Sequence, residues 1–163
     1  MALTRDITAM WCRPGSVWDR LIAAGRREDL ALTHALVGGV LHFVAASPSA
    51  ARAAFEDPAV PLEARLFWSA MLFVFLAPLI LWLATMAAGG IAGLLGDPRF
   101  GYRLRLTLFW ALLAATPATL LMGLVAGLIG PGIELQLIAG LWIVAFGVFT
   151  VTGLTRPNWA GLS

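Results

Sequence analysis

The sequence predicts an all-α integral membrane protein, a helical bundle of four transmembrane helices that follows an N-terminal amphipathic interfacial helix. Three observations predict this class. Of the 163 residues, 60% are hydrophobic and only 12% are charged, about half the charged fraction of an ordinary soluble domain. The stretch 66–154 contains three long apolar runs, more continuous apolar surface than a soluble domain of this length could bury. Apolar residues ahead of these runs recur at spacings of three and four, the period of a helix.

Residues 1–29 form the first predicted unit, and it is not a secretory signal, because charged side chains interrupt every apolar run. Its apolar positions, among them Trp11, Trp18 and Leu21, fall on one helical face, and arginines occupy the other. We expect this face to lie at the lipid headgroups, as amphipathic helices do. The alternative is a cytoplasmic helix that packs on the membrane domain.

Local signals divide this first unit. Pro14-Gly15 separates two short helices, and Ser16 is expected to be the N-cap of the second one. Gly25 is a plausible helix stop, because glycine is common just after the last helical residue.

The second predicted unit, residues 30–163, is the four-helix transmembrane domain. A polar loop is expected at 47–65, a compact basic turn at 96–105 and a tight Gly-Pro-Gly reversal at 130–132. Pro78 and Pro117 lie inside the second and third spans, where each is expected to kink the helix. The predicted spans are 30–46, 66–95, 106–129 and 135–154.

The distribution of arginines predicts the orientation. All eleven basic residues are arginine, which together with the many alanines favours a GC-rich bacterial genome. Nine arginines fall in the N-terminal segment, the 96–105 turn and the C-terminus, against two in the remaining loops. The positive-inside rule therefore predicts an inner-membrane protein with both termini in the cytoplasm. Arg99, Arg103 and Arg105 are expected at the membrane surface. The net charge of +2 is too small to indicate nucleic acid as a partner.

Two glycine motifs are candidate helix-packing sites. Gly89 and Gly93 form one GxxxG pattern, and Gly123 and Gly127 form another. Glycines four residues apart allow helix backbones to approach closely in a membrane. The motifs could form an oligomer interface or pack within one chain, and the sequence leaves both alternatives open.

The two span prolines also suggest a possible gate. A proline frees a backbone carbonyl one turn earlier, and transporters use such breaks to line ion sites. Only Ser69, Thr85, Thr116 and Thr119 lie near Pro78 and Pro117, and the middles of spans two to four hold no Asp, Glu, Lys or Arg. Coupled transporters normally hold an ionisable group at this depth. A structural kink is therefore the favoured interpretation.

No catalytic or cofactor-binding constellation can be assembled from the sequence. His34 and His42 are eight residues apart, about 12 Å along a helix axis, which is too far for one metal ion. Cys12 is the single cysteine and has no partner for a disulfide or a metal site. Paired carboxylates, nucleophile motifs and phosphate-binding loops are all missing from the sequence. We therefore predict no enzyme activity, no metal and no cofactor.

Two stretches resemble bacterial members of the Yip family, membrane proteins named for the eukaryotic branch that binds Rab-type GTPases. The first is ITAMWCRPGSVWDRLIAAGRREDLALTHAL, and the second is LFVFLAPLILWLATMAAGGIAGLLGDPRFGYRLRLTLFWALLAATPATLLMGLVAGLIG. The resemblance lies in two proline-containing spans joined by a short Gly-and-Arg turn, behind paired amphipathic helices. It implies a non-enzymatic helical bundle, and family members more often have five spans.

The sequence therefore favours a Yip-like interaction or membrane-organising protein that acts through helix–helix contacts. Its expected partners are membrane lipids and either further copies of itself or another membrane protein, in a larger complex to which it would be an accessory subunit. The alternative from another functional class is a small transporter or permease that is gated by the kinks at Pro78 and Pro117.

Overall fold

The computed structural model describes residues 3–161, and every element in this range is helical. The all-α prediction is therefore confirmed for the described residues. Residues 1, 2, 162 and 163, at the ends of the two predicted units, lie outside them. The elements are α1 (Leu3–Cys12), α2 (Pro14–Ala23), α3 (Glu28–Glu56), α4 (Leu62–Ala70), a π-helical segment (Met71–Leu76), α5 (Ala77–Leu94), α6 (Phe100–Ala114), α7 (Thr116–Leu128), α8 (Ile133–Leu154) and a 3₁₀ helix (Pro157–Gly161).

Several of these helices are long and apolar enough to cross a membrane. Within the described range they are α3, the continuous helix Leu62–Leu94 built from α4, the π-helical segment and α5, and α8. Helices α6 and α7 also qualify as a pair, although they are bent by 47° at the break between them. Residues 3–161 thus contain three such helices, or four when the bent pair counts as one span, and several long apolar helices of this kind indicate a membrane protein.

Helix α3 is longer than predicted. The first span was expected to end at residue 46, but α3 continues through Pro48 to Glu56, so the predicted polar loop 47–65 shrinks to residues 57–61. An alanine-rich segment and an ion pair between Arg52 and Glu56, four residues apart and 2.8 Å between nitrogen and oxygen, favour the helix. These local preferences outweigh the one backbone hydrogen bond that the proline removes.

The second span changes from α-helical to π-helical hydrogen bonding just before Pro78. The six residues Met71–Leu76 are π-helical, and the Ala77 N–H donates to the Leu72 carbonyl, five residues back. The next acceptor in this register is the Phe73 carbonyl, to which Pro78 cannot donate because it has no N–H. The helix is continuous from Leu62 to Leu94, so it begins four residues before the predicted span 66–95 and ends one residue earlier.

The third span bends at the predicted proline. Helix α6 ends at Ala114 and α7 begins at Thr116, so the break at Ala115 lies two residues before Pro117. Helix α6 begins at Phe100, six residues before the predicted start. The basic turn of the prediction is therefore reduced to residues 95–99.

The two turns predicted from glycine are confirmed. Gly25 has a φ of 80° just after α2, and Gly130 has a φ of 99° in the Gly-Pro-Gly reversal before α8. Both angles lie in the left-handed region, which glycine adopts without a steric penalty. The prediction for Ser16 is wrong, because α2 begins two residues earlier at Pro14 and the Ser16 hydroxyl donates to the Arg13 carbonyl at 3.0 Å. Proline is favoured at the first helical position because its φ is already helical.

Helix α3 is central to the bundle and packs against α6, α7, α4 and the π-helical segment. Helix α5 packs mainly on α6, while α8 packs against α6 and α7. The starts of α3 and α6 and the end of α8 meet at one end, which we call the basic end, and α2 packs there against the end of α8. Helix α1 packs against the C-terminal half of α6. The loops 57–61 and 129–132 lie at the opposite end, where Gly130 adjoins Arg52.

Candidate functional site

The break in the third span leaves two backbone carbonyls without their helical donors. The Leu113 carbonyl loses the donor at residue 117, because Pro117 has no N–H, and it accepts a backbone N–H at the end of α6 instead. The Ala118 N–H donates to the Ala115 carbonyl at 3.1 Å, which frees the Ala114 carbonyl as well. Unpaired carbonyls inside a membrane protein are costly, and transporters use such groups to bind ions.

Protein groups occupy both carbonyls. The Thr116 hydroxyl donates to the Leu113 carbonyl at 2.7 Å. The indole N–H of Trp11, which is 103 residues away in the sequence, donates to the Ala114 carbonyl at 2.9 Å. The Trp11 ring also meets Phe149 edge to face, with 5.4 Å between ring centroids. Helix α1 is thus docked on the break and closes it.

A second polar network lies one turn beyond the break and joins three helices. The Trp142 indole N–H of α8 donates to the Thr119 hydroxyl oxygen of α7 at 2.8 Å. Thr119 lies 3.4 Å from Nε2 of His42 on α3, and His42 Nδ1 lies 2.8 Å from the Gly38 carbonyl. A carbonyl can only accept, so Nδ1 carries the proton and a neutral ring offers Nε2 as an acceptor. Thr119, which is 4% exposed, is the centre of this network.

The two histidines are in separate environments. His34 is buried, and its ring meets Trp110 of α6 edge to face at 4.7 Å. His42 contacts Thr119 of α7 instead, as a hydrogen-bonded histidine inside the bundle. The described residues contain no group of three or more His, Cys, Asp or Glu side chains that could hold a metal ion.

Three of the four predicted glycines lie at helix contacts within the chain. A Cβ at Gly123 would overlap the Ala45 carbonyl of α3, and one at Gly89 would come 2.6 Å from the Gly101 Cα of α6. Gly127 similarly adjoins α3 at Pro48. The two motifs therefore meet different helices, and they do not face each other.

The fourth glycine is different. Gly93 is exposed, and the nearest atom to a Cβ placed there is the Pro98 Cα at 4.0 Å. Of the two interpretations of the motifs, packing within one chain accounts for Gly89, Gly123 and Gly127.

The prediction that Trp18 and Leu21 face lipid headgroups is wrong. Trp18 is 0% and Leu21 is 4% exposed, because both pack into a core with Trp110 of α6 and Phe149 of α8. The structure therefore matches the alternative in which this apolar face packs on the membrane domain. The outward positions of α1 are polar or small apart from Trp11, which is partly exposed.

Arg105 is also placed differently from the prediction. Since α6 begins at Phe100, Arg105 is more than a turn inside this helix and is only 6% exposed. Its guanidinium binds both oxygens of Glu28, with Nη2–Oε1 at 2.5 Å and Nε–Oε2 at 3.0 Å. Arg99 is exposed, and Arg103 is partly exposed over the Phe100 ring.

The Glu28–Arg105 pair belongs to a set of long-range contacts at the basic end that sequence reasoning missed. The Tyr102 hydroxyl donates to the Gly25 carbonyl at 3.1 Å and accepts from the Arg27 N–H at 3.0 Å. Arg27 also binds Asp29, and this hydrogen bond raises the pKa of the guanidinium, so it stays cationic. These contacts fix the connection between α2 and α3 onto α6, and no local pattern indicates them.

No protein-family model matches this chain, and neither a curated protein nor a solved structure matches it significantly.

Proposed function

We propose that this chain is a non-enzymatic, Yip-like interaction or membrane-organising protein of the bacterial inner membrane. It acts through helix–helix contacts with further copies of itself or with a larger membrane complex to which it is an accessory subunit. Both termini lie in the cytoplasm.

The closed break in the third span is the observation that carries this proposal. A gate built on Pro117 needs carbonyls that are free for a substrate, but Thr116 and Trp11 occupy the carbonyls of Leu113 and Ala114. The kink is therefore used to position helices. Partner proteins and lipids therefore contact the outer surface of the helical bundle.

The outer surface supports contacts in the plane of the membrane. Large apolar side chains are exposed along α4, the π-helical segment and α5, and a second row is exposed along α8. The first row includes Phe67, Trp68, Phe75 and Ile80, and aromatic residues supply large contact areas to partners. These faces can meet either lipid or a partner helix.

The arginines support the orientation. Arg99, Arg103, Arg105 and Arg156 share the basic end with Arg26 and Arg27, which lie beside Glu28 and Tyr102. Arg52 and Arg65 lie towards the opposite end, and each is paired with an acidic side chain. The positive-inside rule assigns the basic end to the cytoplasm.

Purification from the native membrane in a gentle detergent, with mass spectrometry of the co-purifying proteins, tests the proposal. We expect either a stoichiometric membrane-protein partner or a homo-oligomer. A chain that purifies alone and sediments as a monomer at all detergent concentrations would contradict it.

A small transporter is the second candidate function. The 47° bend and the His42–Thr119–Trp142 network favour it, because both lie inside the bundle, where a substrate path would run. A transporter needs water to reach this interior at some stage of its cycle. Water access to Thr116 and Thr119 therefore separates the two candidates.

A further inference from the structure

Helix α5 separates from α3 at the proline of the second span. Helix α4 and the π-helical segment pack on α3, whereas α5 packs mainly on α6. The closest contact is at Gly39 of α3, where a Cβ would overlap the Phe73 carbonyl and come 3.3 Å from Cγ of Pro78. Beyond this contact, towards the basic end, the two helices part and a cleft opens between them.

This α3–α5 cleft has a volume of about 460 Å³ and a marked change of polarity along its length. Leu32, Pro78, Leu79 and Trp82 line it, and Glu28 and Asp29 lie at its basic end. Leu32, Leu79 and Trp82 are all exposed, so the cleft opens on the lipid-facing side of the bundle.

The length of the cleft matches one leaflet of a membrane. From Gly39 to Asp29 is ten residues of α3, about 15 Å of helix. The hydrocarbon core of a bilayer is about 30 Å thick, so the apolar part of the cleft runs from near the midplane to the headgroup level.

The basic end of the cleft carries charges of both signs in a fixed order. Arg26 and Arg27 precede α3, and each binds a carboxylate of the cleft, Arg26 to Glu28 at 3.3 Å and Arg27 to Asp29 at 2.7 Å. Both arginines are more than half exposed and keep N–H groups for a further acceptor. A guanidinium matches a phosphate, and a carboxylate matches an ammonium.

We propose that the α3–α5 cleft binds an aminophospholipid, with one acyl chain along Leu79 and Trp82, the phosphate at Arg26 and Arg27, and the ammonium at Asp29. The proposal requires the chain to lie in a membrane and is independent of its protein partners. The order of the charged groups favours this occupant over a partner helix, because a phosphate and an ammonium match the exposed Arg26, Arg27 and Asp29 at the headgroup level.

Photo-crosslinking of the full chain in phosphatidylcholine vesicles tests the proposal. The vesicles contain a trace of phosphatidylethanolamine, phosphatidylcholine or phosphatidylglycerol, each with the same photoreactive acyl chain, and adducts are mapped by mass spectrometry. We expect phosphatidylethanolamine adducts to concentrate on Leu79 and Trp82 relative to Leu141 and Val144 of α8, which are also exposed. We further expect more labelling at the cleft from phosphatidylethanolamine than from the other two lipids.

The variant Asp29→Asn keeps the side chain's shape and removes the carboxylate. It should lower the preference for phosphatidylethanolamine over phosphatidylcholine by about two- to fivefold, the effect of one exposed charge pair. Glu134→Gln is the matched control, because Glu134 is an exposed carboxylate at the opposite end of the bundle. It should leave the preference unchanged.

Three results would overturn the proposal. The first is equal labelling of the cleft and of α8 by all three lipids, and the second is a preference that Asp29→Asn leaves unaltered. The third is protection of the cleft by a co-purifying protein, which would make a partner helix its occupant.

Discussion

Trp11→Phe tests the contact that closes the third span. The change removes the indole N–H that donates to the Ala114 carbonyl and keeps an aromatic ring against Phe149. The carbonyl then loses its donor, since the Ala118 N–H is already bonded to Ala115.

The expected loss is about 1 kcal/mol. A buried acceptor that loses its partner costs about 1–3 kcal/mol, but hydrogen bonds between membrane helices average about 0.6 kcal/mol when measured by double-mutant cycles. Trp11 is 37% exposed, so water or a headgroup can partly replace the lost donor. The expected loss of about 1 kcal/mol is therefore the lower end of the range for a buried acceptor that loses its partner.

The assay is equilibrium unfolding in mixed micelles, in which SDS is titrated into dodecylmaltoside and helix content is followed by circular dichroism. Trp68→Phe is the matched control, because Trp68 is exposed on α4 and meets Phe67 edge to face without bonding a freed carbonyl. Its free energy of unfolding should change by less than about 0.5 kcal/mol. Hydrogen exchange in α1 should accelerate in Trp11→Phe alone. Equal stability of the two variants would refute the reasoning.

Three further changes probe the interior of the bundle by the same unfolding assay. Gly123→Ala places a methyl group against the α3 backbone at Ala45 and should lower the free energy of unfolding by about 1–3 kcal/mol. The control is Gly140→Ala, because a Cβ added at Gly140 would meet no neighbouring atom within 4 Å, and this change should be neutral or stabilising. Equal effects of the two changes would contradict the packing account. Thr119→Val removes the acceptor of the Trp142 N–H and should cost about 1 kcal/mol, and an unchanged stability would show that the network contributes nothing. Arg105→Gln breaks the bidentate pair with the α3 carboxylate and should cost about 1–2 kcal/mol, discounted because that carboxylate is partly exposed; a stability gain would contradict it.

Features encoded in a few neighbouring residues could be predicted from the sequence. Pro117 marks the bend, Gly25 and Gly130 mark turns with positive φ, and the apolar run 135–154 marks α8 almost to the residue. The bend and the turns follow from the backbone conformations of proline and glycine, and α8 follows from the preference of a long apolar run for lipid over water.

Features that depend on distant partners could not be predicted. The periodicity of Trp18 and Leu21 correctly indicated an apolar face, but an apolar face can pack on lipid or on protein, and only the position of α6 decides between them. Likewise, Gly123 predicts a close contact between helices but not that the partner is α3, and the sequence shows the charge of Arg105 but not its pairing with Glu28. The prediction of a polar loop from residue 47 was wrong, because the helix preference of the residues after Pro48 outweighs the single hydrogen bond that this proline removes.

The most direct test of the account is water access to the break in the third span. In a Cys12→Ser background, single cysteines at Ser69, Thr116 and Thr119 are treated in intact cells with a maleimide that does not cross the membrane. A cysteine at Ala59, in the exposed loop 57–61, is the positive control and also reports the orientation. The account predicts that the Ala59→Cys variant reacts and that the other three are protected. Reaction of Thr116→Cys or Thr119→Cys at a rate near that of Ala59→Cys would contradict it and would favour a transporter.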